Sequence, residues 1–349
     1  MYNIIIQNVL GVNMPITIRD LAKKLNLSIT TVSRALDGYS DVSEKTRTRV
    51  IHAAEEMGYA PSSAARQLRR RHSDAIGYIL PTSSPRFSDP FYSDFLAGLC
   101  DEIAEHHIDL IVSSSPPGSD IEMRMYQRWI QSMRVGGIVL NRIRTQDWRA
   151  SFLAQNQVPF AVLGHISIDM KIPNIVVDER GGFERLVQHL ASKGHQRIAY
   201  IGGSPDLMIQ VDRFGGYQQG LLTAGLLRDK DLILEGDLTE DGGYEAARKL
   251  LAQSDPPSAI LGCNDLTAIG VLRAARQAGL QVGKDLAVAG YDGIQQTEHT
   301  DPPLTTLYQP TYNIARLLAA QLLKVLKGEV IDEYRQTLEP ILILRASTG

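Results

Sequence analysis

Only two cysteines, Cys100 and Cys263, occur in 349 residues. A disulfide framework and a four-cysteine zinc site are therefore excluded. Such sparse cysteine fits a reducing compartment, where a buried thiol serves as a small apolar group. No apolar run approaches the roughly 20 residues that span a bilayer, so no membrane partner is expected. The apolar stretch 1–13 (MYNIIIQNVLGVN) has neither Lys nor Arg. It lacks the positive start of a secretory signal, and the cytoplasm is the expected location. Residues 1–14 read as an extension outside the fold. Catalytic signatures are missing too. No G-x-S-x-G occurs, and Gly202-Gly203 and Gly215-Gly216 form neither a dinucleotide fingerprint nor a P-loop. The eight histidines do not fall at metal-ligand spacing with acids. No catalytic residue, metal or cofactor is expected. No heptad tail follows the last strand, so nothing predicts a tetramer.

What is present is a 44% hydrophobic chain with 21% charged residues and a net charge of −3. That composition excludes a disordered or fibrous chain, and the length predicts two or three compact units. The charge is unevenly placed: residues 15–72 carry a net +5, residues 73–349 a net −8. A basic head on an acidic body points to a polyanion partner for the head alone.

The head reads as short helices. Thr17 suits an N-cap for Ile18–Leu25, Ser28 for Ile29–Leu36 and Ser43 for Glu44–Met57, with Gly58 as the left-handed exit. Leu21, Leu25, Val32, Leu36, Val50, Ala53, Ala54 and Met57 fall at core spacing. Helices this short must pack on one another. Two of them joined by a tight turn, in a basic context, form a helix-turn-helix pattern whose second helix fits a major groove. That helix turns Ile29, Thr30, Ser33 and Arg34 outward. Ile29 suits a thymine methyl, and Arg34 can donate twice to a guanine edge. The hydroxyls of Thr17, Ser28, Thr31 and Ser33 suit phosphate oxygens. The plainer alternative is a solvated three-helix bundle with an incidental basic face. Residues 63–70 (SAARQLRR) form a further short helical segment. When two copies pair over DNA, Leu68 can act there as an apolar wedge in the minor groove; otherwise it packs on its own domain.

From Ala75 onward, apolar strands alternate with helices, as in parallel sheets covered on both faces. The strands are too many for one sheet, so two α/β lobes are predicted. Ligands of such sheets sit beyond the strand C-termini. The residues there are polar: Gly164 and His165, Gly202–Ser204 with Arg213 beyond, Cys263–Asp265, and Tyr291-Asp292. Together with aromatic faces they suit a small polar ligand such as a sugar. Each has a structural alternative: Asn264 and Asp265 can cap the next helix, Tyr92 can be core, and Arg213 can pair with an acid of the opposite lobe.

Three stretches of the head, Thr17–Gly38 (TIRDLAKKLNLSITTVSRALDG), Val42–Val50 (VSEKTRTRV) and Gly58–Leu68 (GYAPSSAARQL), resemble the headpiece of the LacI/GalR family of bacterial transcriptional regulators. The body resembles the same family at Asp89–Tyr92, Val176–Gly182, Leu190–Gly203, Asp212–Leu221, Cys263–Gly270, Val288–Gly293 and Pro302–Leu307. Together these stretches cover nearly all of Pro15–Ala346. The resemblance implies an all-α helix-turn-helix headpiece joined to a two-lobed, periplasmic-binding-protein-like α/β effector domain with parallel sheets. By it, residues 15–60 bind DNA, 61–72 form the hinge, and 73–349 bind effector and dimerise. One lobe takes about 73–176 plus 308–334, the other about 177–307 plus 335–349, with three crossings. Ile29, Thr30 and Arg34 fall on base-reading positions, Leu68 on the intercalating hinge leucine, and Ala65 on the small residue where paired hinges meet. Effector contacts would be Tyr92, Arg213, Asn264, Asp292 and Gln309. Gly164 stands where some sugar-sensing members carry an acid, a place His165 can fill, and Leu238 where several carry an aromatic.

The expected function is then a homodimeric repressor on a palindromic double-stranded operator, governed by a sugar between the lobes. Ligand shifts lobe geometry and so hinge spacing, by linkage. A solute-binding protein, a nucleobase sensor or an α/β enzyme are the rival readings. The basic head and the absent secretory signal oppose the first, and the missing catalytic motifs oppose the last.

Overall fold

The head's small core dictates its shape. The computed structural model describes residues 16–59, 73, 75–82, 89–166 and 170–349. The expectations for 1–14 and for the hinge 61–72, with Ala65 and Leu68, lie outside the described residues. The chain divides into one unit over 1–72 and another over 73–349. In the first, α1 (Ile18–Leu25), α2 (Ile29–Leu36) and α3 (Glu44–Met57) pack around Leu21, Val32 and Val50, all fully buried. Their ends are set by local chemistry. Thr17 and Asp20 form a reciprocal capping box, Ser28 accepts from the Thr31 N–H at 3.0 Å, and Ser43 accepts from the Thr46 N–H at 3.3 Å. Gly58 leaves α3 at φ +64°, a conformation glycine enters without Cβ strain.

The second unit holds two six-stranded sheets. In chain order its elements are β1 (Ala75–Pro81), α4 (Pro90–Ala104), β2 (Asp109–Ser115), α5 (Asp120–Gln131), β3 (Gly137–Leu140), α6 (Trp148–Gln155), β4 (Phe160–Leu163) and β5 (Asn174–Val177). Then follow α7 (Glu179–Ser192), β6 (Ile198–Gly202), α8 (Met208–Thr223), β7 (Ile233–Glu235), α9 (Glu240–Leu251), β8 (Ala259–Gly262), α10 (Asp265–Gln277) and β9 (Ala287–Asp292). The last are β10 (Thr305–Tyr308), α11 (Thr311–Lys327), β11 (Arg335–Leu338) and β12 (Ile341–Ile343).

The first sheet runs β11-β5-β4-β3-β1-β2, all parallel; the second runs β12-β10-β9-β8-β6-β7, parallel except for β12 against β10. Central strands such as β1, β3 and β8 are buried throughout, as continuous apolar runs covered on both faces require. Edge strand β2 is exposed or half-buried until its last residue, Ser115. The chain passes between lobes three times, after β5, after β10 and after β11. This corrects the expected boundary at 335, because Arg335–Leu338 pairs in register with Asn174–Val177 in the first sheet. Only from β12 does the C-terminal stretch join the second. The polar sequence RQTL hides this strand, since an edge needs little apolar surface. Helix α8 begins at Met208, seven residues before Gly215. Gly215 and Gly216 do not punctuate it; they let α8 approach α7, where a Cβ on Gly216 would meet the Arg180 carbonyl.

The same device joins α9 and α10. A Cβ on Gly243 would collide with the Thr267 backbone, and one on Gly270 with the Glu240 carbonyl. Backbone cannot yield as a side chain can. Gly270→Val is therefore expected to cost about 1–3 kcal/mol by overpacking, read as a lowered urea midpoint; an unchanged midpoint would refute close helix contact here.

Candidate functional site

The strand order places a crevice. In each sheet the chain reverses direction of travel across the sheet, between β1 and β3 in the first lobe and between β6 and β8 in the second. Ligands of open α/β sheets sit at the carboxyl ends of strands at such points. A cleft lies there. The first lobe lines it with Phe91 of α4, Asn141, Arg142 and Ile143 after β3, and Leu163, Gly164 and His165 around the end of β4. The second lines it with Glu179, Met208, Ile209, Asp212, Arg213, Leu238, Asn264 and Asp292, while Val177 and Gln309 flank two crossings.

Arg213 is the centre of its charge. It is 4% exposed, donates from Nη2 to Glu179 Oε1 at 2.8 Å and from Nη1 to the Cys263 carbonyl at 2.6 Å, and lies 3.6 Å from Asp292 Oδ1. Its guanidinium sits 3.9 Å from the Tyr291 ring centroid. Asp292 in turn accepts from Gln309 Nε2 at 2.8 Å. Burial raises the Asp292 carboxyl to about 7, against the opposing pull of Arg213. Burial likewise pushes Asp89, Glu179 and Asp212 upward. Asp292 also holds φ +115° without being glycine, a strained backbone that surrounding contacts must over-determine.

The structure thus brings Arg213, Asn264, Asp292, Gln309 and His165 into one lining. Asn264 does two things: Oδ1 caps α10 through the Thr267 N–H at 3.0 Å, and Nδ2 donates to the Leu238 carbonyl at 3.0 Å. His165 Nε2 reaches across the cleft to within 3.6 Å of Asp212 Oδ2. Tyr92 is not in the lining. It is buried behind it, edge-on to Phe91 at 5.3 Å and beneath the Arg142 guanidinium at 5.2 Å. Successive helical residues point about 100° apart, and Phe91 takes the cleft-facing place. Gly164 holds φ +116°, where any side chain would strain the backbone.

Glu179, Asp212, Arg142 and Asp89 were missed by sequence reasoning. Asp212 precedes Arg213 on α8, and Glu179 opens α7 just after β5. Arg142 follows β3, and its Nη2 donates to Asp89 Oδ2 at 3.0 Å. At the rim the lobes meet through backbone. The Thr145 N–H donates to the Asp206 carbonyl at 2.8 Å, and the Met208 N–H to the Ile143 carbonyl at 2.8 Å.

In the head, α2 exposes Ile29 (44%), Thr30 and Arg34 around a shallow depression that Ser33 and Tyr39 complete. Ser33 corrects an expectation. It is 6% exposed, and its hydroxyl donates to Asp37 Oδ2 at 3.3 Å, one turn on, so it does not project outward. Thr17 and Ser28 stand exposed at the N-termini of α1 and α2, and the half-buried Thr31 shares a hydroxyl contact with Ser28 at 2.8 Å. Helix N-termini with free N–H groups are anion sites.

Residues 17–62 match the family described as bacterial regulatory proteins, lacI family, and residues 187–348 match a periplasmic binding protein-like domain. The HTH-type transcriptional regulator AglR of Rhizobium meliloti (strain 1021) is 33% identical over 344 residues, 96% of this chain and 95% of its own. The chain belongs to the LacI family. The family's HTH-type transcriptional repressor CytR of Escherichia coli (strain K12) is 32% identical over 95% of this chain and 96% of its own. Among solved LacI-family structures, the lac repressor dimer bound to operator and the anti-inducer ONPF superposes with TM-score 0.82 at 27% identity, covering 96% of this chain and 99% of that one. The transcriptional regulator CelR–cellobiose complex superposes with TM-score 0.73 at 30% identity, covering 95% and 99%. These relatives are transcriptional regulators, not enzymes.

The raised Asp292 carboxyl has a thermodynamic consequence. Well below its ordinary 3.8 the group is protonated in both folded and unfolded chains. Between its ordinary 3.8 and about 7, the unfolded chain has released the proton while the folded chain still holds it. Folding stability contributed by this residue therefore falls as pH rises from about 4 to 7. Asp292→Asn removes that dependence. Urea denaturation at several pH values is expected to show the variant gaining on the parent across this window and levelling above it; parallel curves would refute the assignment.

Proposed function

We propose that the chain is a sequence-specific transcriptional repressor that reads a palindromic operator as a homodimer and is controlled by a sugar bound in the cleft. The observation that carries the reading is the pairing of an exposed, groove-sized helix bearing Ile29, Thr30 and Arg34 with a polar cleft between two lobes. Two heads are required because the half-sites of a palindrome mirror a twofold axis. Thr17, Ser28 and Thr31 position the head on phosphates, and Ile29, Thr30 and Arg34 read bases.

The chemistry of the lining favours an uncharged polyhydroxy ligand. Its guanidiniums, Arg142 and Arg213, are already partnered by Asp89, Glu179 and Asp292. With Asp212 added, acids outnumber them, so an anionic ligand meets no spare positive charge. Carboxylates and amides instead offer acceptors and donors that sugar hydroxyls satisfy, and Phe91 offers a face for a ring. The apolar rim of Met208, Ile209 and Leu238 covers carbon-rich edges. That CelR is described with cellobiose supports the sugar class.

The test uses full-length protein and a duplex selected from a randomised palindromic library. Binding is expected to weaken steeply with salt, as phosphate neutralisation demands, and to change when a neutral sugar is added. Asp292→Asn should keep duplex binding while weakening the sugar response about tenfold, the scale of one hydrogen bond to a charged group. Response to nucleobases alone would replace the sugar reading, and no site-selective duplex binding would overturn the regulator reading.

A further inference from the structure

We propose that Asp41 and Tyr39 are positioning residues that set the base preference of Arg34, an inference that rests on the DNA-reading role of α2. Neither residue lies on the helix. Both belong to the connection between α2 and α3, yet both close around the Arg34 side chain. Nε of Arg34 donates to Asp41 Oδ1 at 3.1 Å, and Nη2 lies 2.6 Å from Asp41 Oδ2. The Arg34 guanidinium carbon stands 4.9 Å from the Tyr39 ring centroid.

The pairing is side-on. A guanidinium has five N–H donors in a fixed plane. Engaging Nε and one hydrogen of Nη2 leaves the terminal edge, Nη1 with the second Nη2 hydrogen, as a two-donor fork. That fork matches O6 and N7 of guanine. A long, flexible side chain loses rotamer freedom on binding. Holding its plane beforehand by a carboxylate on one edge and a ring against its face lowers that cost for the matching base only. The holder is itself built in. The Tyr39 N–H donates to the Arg34 carbonyl at 3.0 Å, and Arg47 Nη2 donates to the Tyr39 carbonyl at 2.8 Å. The Val42 N–H closes the turn on the same carbonyl at 3.2 Å.

Stability does not explain the arrangement. Arg34 and Asp41 side chains are 44% and 53% exposed, and exposed pairs contribute little to folding. An acid on a surface that meets phosphates works against binding in general, so its value has to lie in selectivity. The prediction is that Asp41 costs affinity for arbitrary sequence and returns it as preference at one base pair per half-site.

The experiment measures base preference of the full chain on a randomised palindromic duplex library, for the parent, R34A, D41N and R34A/D41N, with melting curves to establish that each folds. The parent is expected to prefer guanine at one symmetric position, and R34A to lose that preference. D41N should lower it roughly tenfold, within the range of one bidentate Arg–guanine contact, while its binding to non-selected duplex stays equal or tightens. The double variant should lose no more than R34A, because Asp41 acts through Arg34. A D41N profile identical to the parent, or tightened equally for every sequence, overturns the inference alone. A parent that selects no sequence overturns the regulator reading and this inference with it.

Discussion

A single buried guanidinium organises the body. Arg213 lies on α8 of the second lobe, yet its partners sit where the chain changes lobes. Glu179 follows the first crossing directly, and Asp292 is tied to Gln309, which follows β10 at the second. Two acids buried together repel each other and resist ionisation. Arg213 makes their proximity tolerable, and they make its burial tolerable. Removing Arg213 leaves two buried acids with no cation between them. The crossings after β5 and β10 are therefore not free tethers. They are held by the same ion cluster that faces the cleft, so whatever engages the cluster acts directly on the joints between lobes.

The apolar packing agrees with this division. One buried cluster runs through both lobes, from Ile76 and Phe95 to Tyr200, Tyr291 and Leu307. Two further clusters belong to one lobe each, around Trp129 and Ile138 in the first and Ile260 and Val271 in the second. Cores of one lobe resist deformation, as close-packed interiors do. The compliant part is the polar seam between them, where backbone bonds join 143–145 to 206–208 and His165 approaches Asp212.

Most of the fold was legible because it obeys period and punctuation. The helices Ile18–Leu25, Ile29–Leu36 and Glu44–Met57 coincide with their expected limits because Thr17, Ser28, Ser43 and Gly58 satisfy end groups that no other residue nearby would. Strands Gly137–Leu140 and Ile198–Gly202 are legible as continuous apolar runs because both faces are buried. The strand at Arg335–Leu338 was hidden by its polarity, and Thr305–Tyr308 by the prolines before it. Trp148–Gln155 has only two turns and a mixed face. In the cleft, position after a strand pointed to Arg213, Asn264 and Asp292. The resemblance points to Tyr92, but family position does not tell which of two helical neighbours faces inward, and it is Phe91 that lines the cleft. Nor can it see that a serine such as Ser33 turns back on its own helix.

A ligand changes an equilibrium only by the difference in its affinity for the two arrangements. On the proposed function, the contacts that close the lobes set how large that difference must be. Two backbone hydrogen bonds contribute about 0.5–1.5 kcal/mol each, and a half-exposed His–Asp approach adds little. The seam alone therefore biases closure by only a few kcal/mol. Moving a two-state population from 1:99 to 99:1 takes about 5.5 kcal/mol. A sugar whose hydroxyls bridge Asp292 and Gln309 on one side and Asn141 or Arg142 on the other exceeds that with a handful of charge-assisted bonds, each made only when the lobes are close. A weak seam beside a strongly polar cleft is what a sensor needs: a stiffer seam would close without ligand, and a less polar cleft could not pull the lobes together.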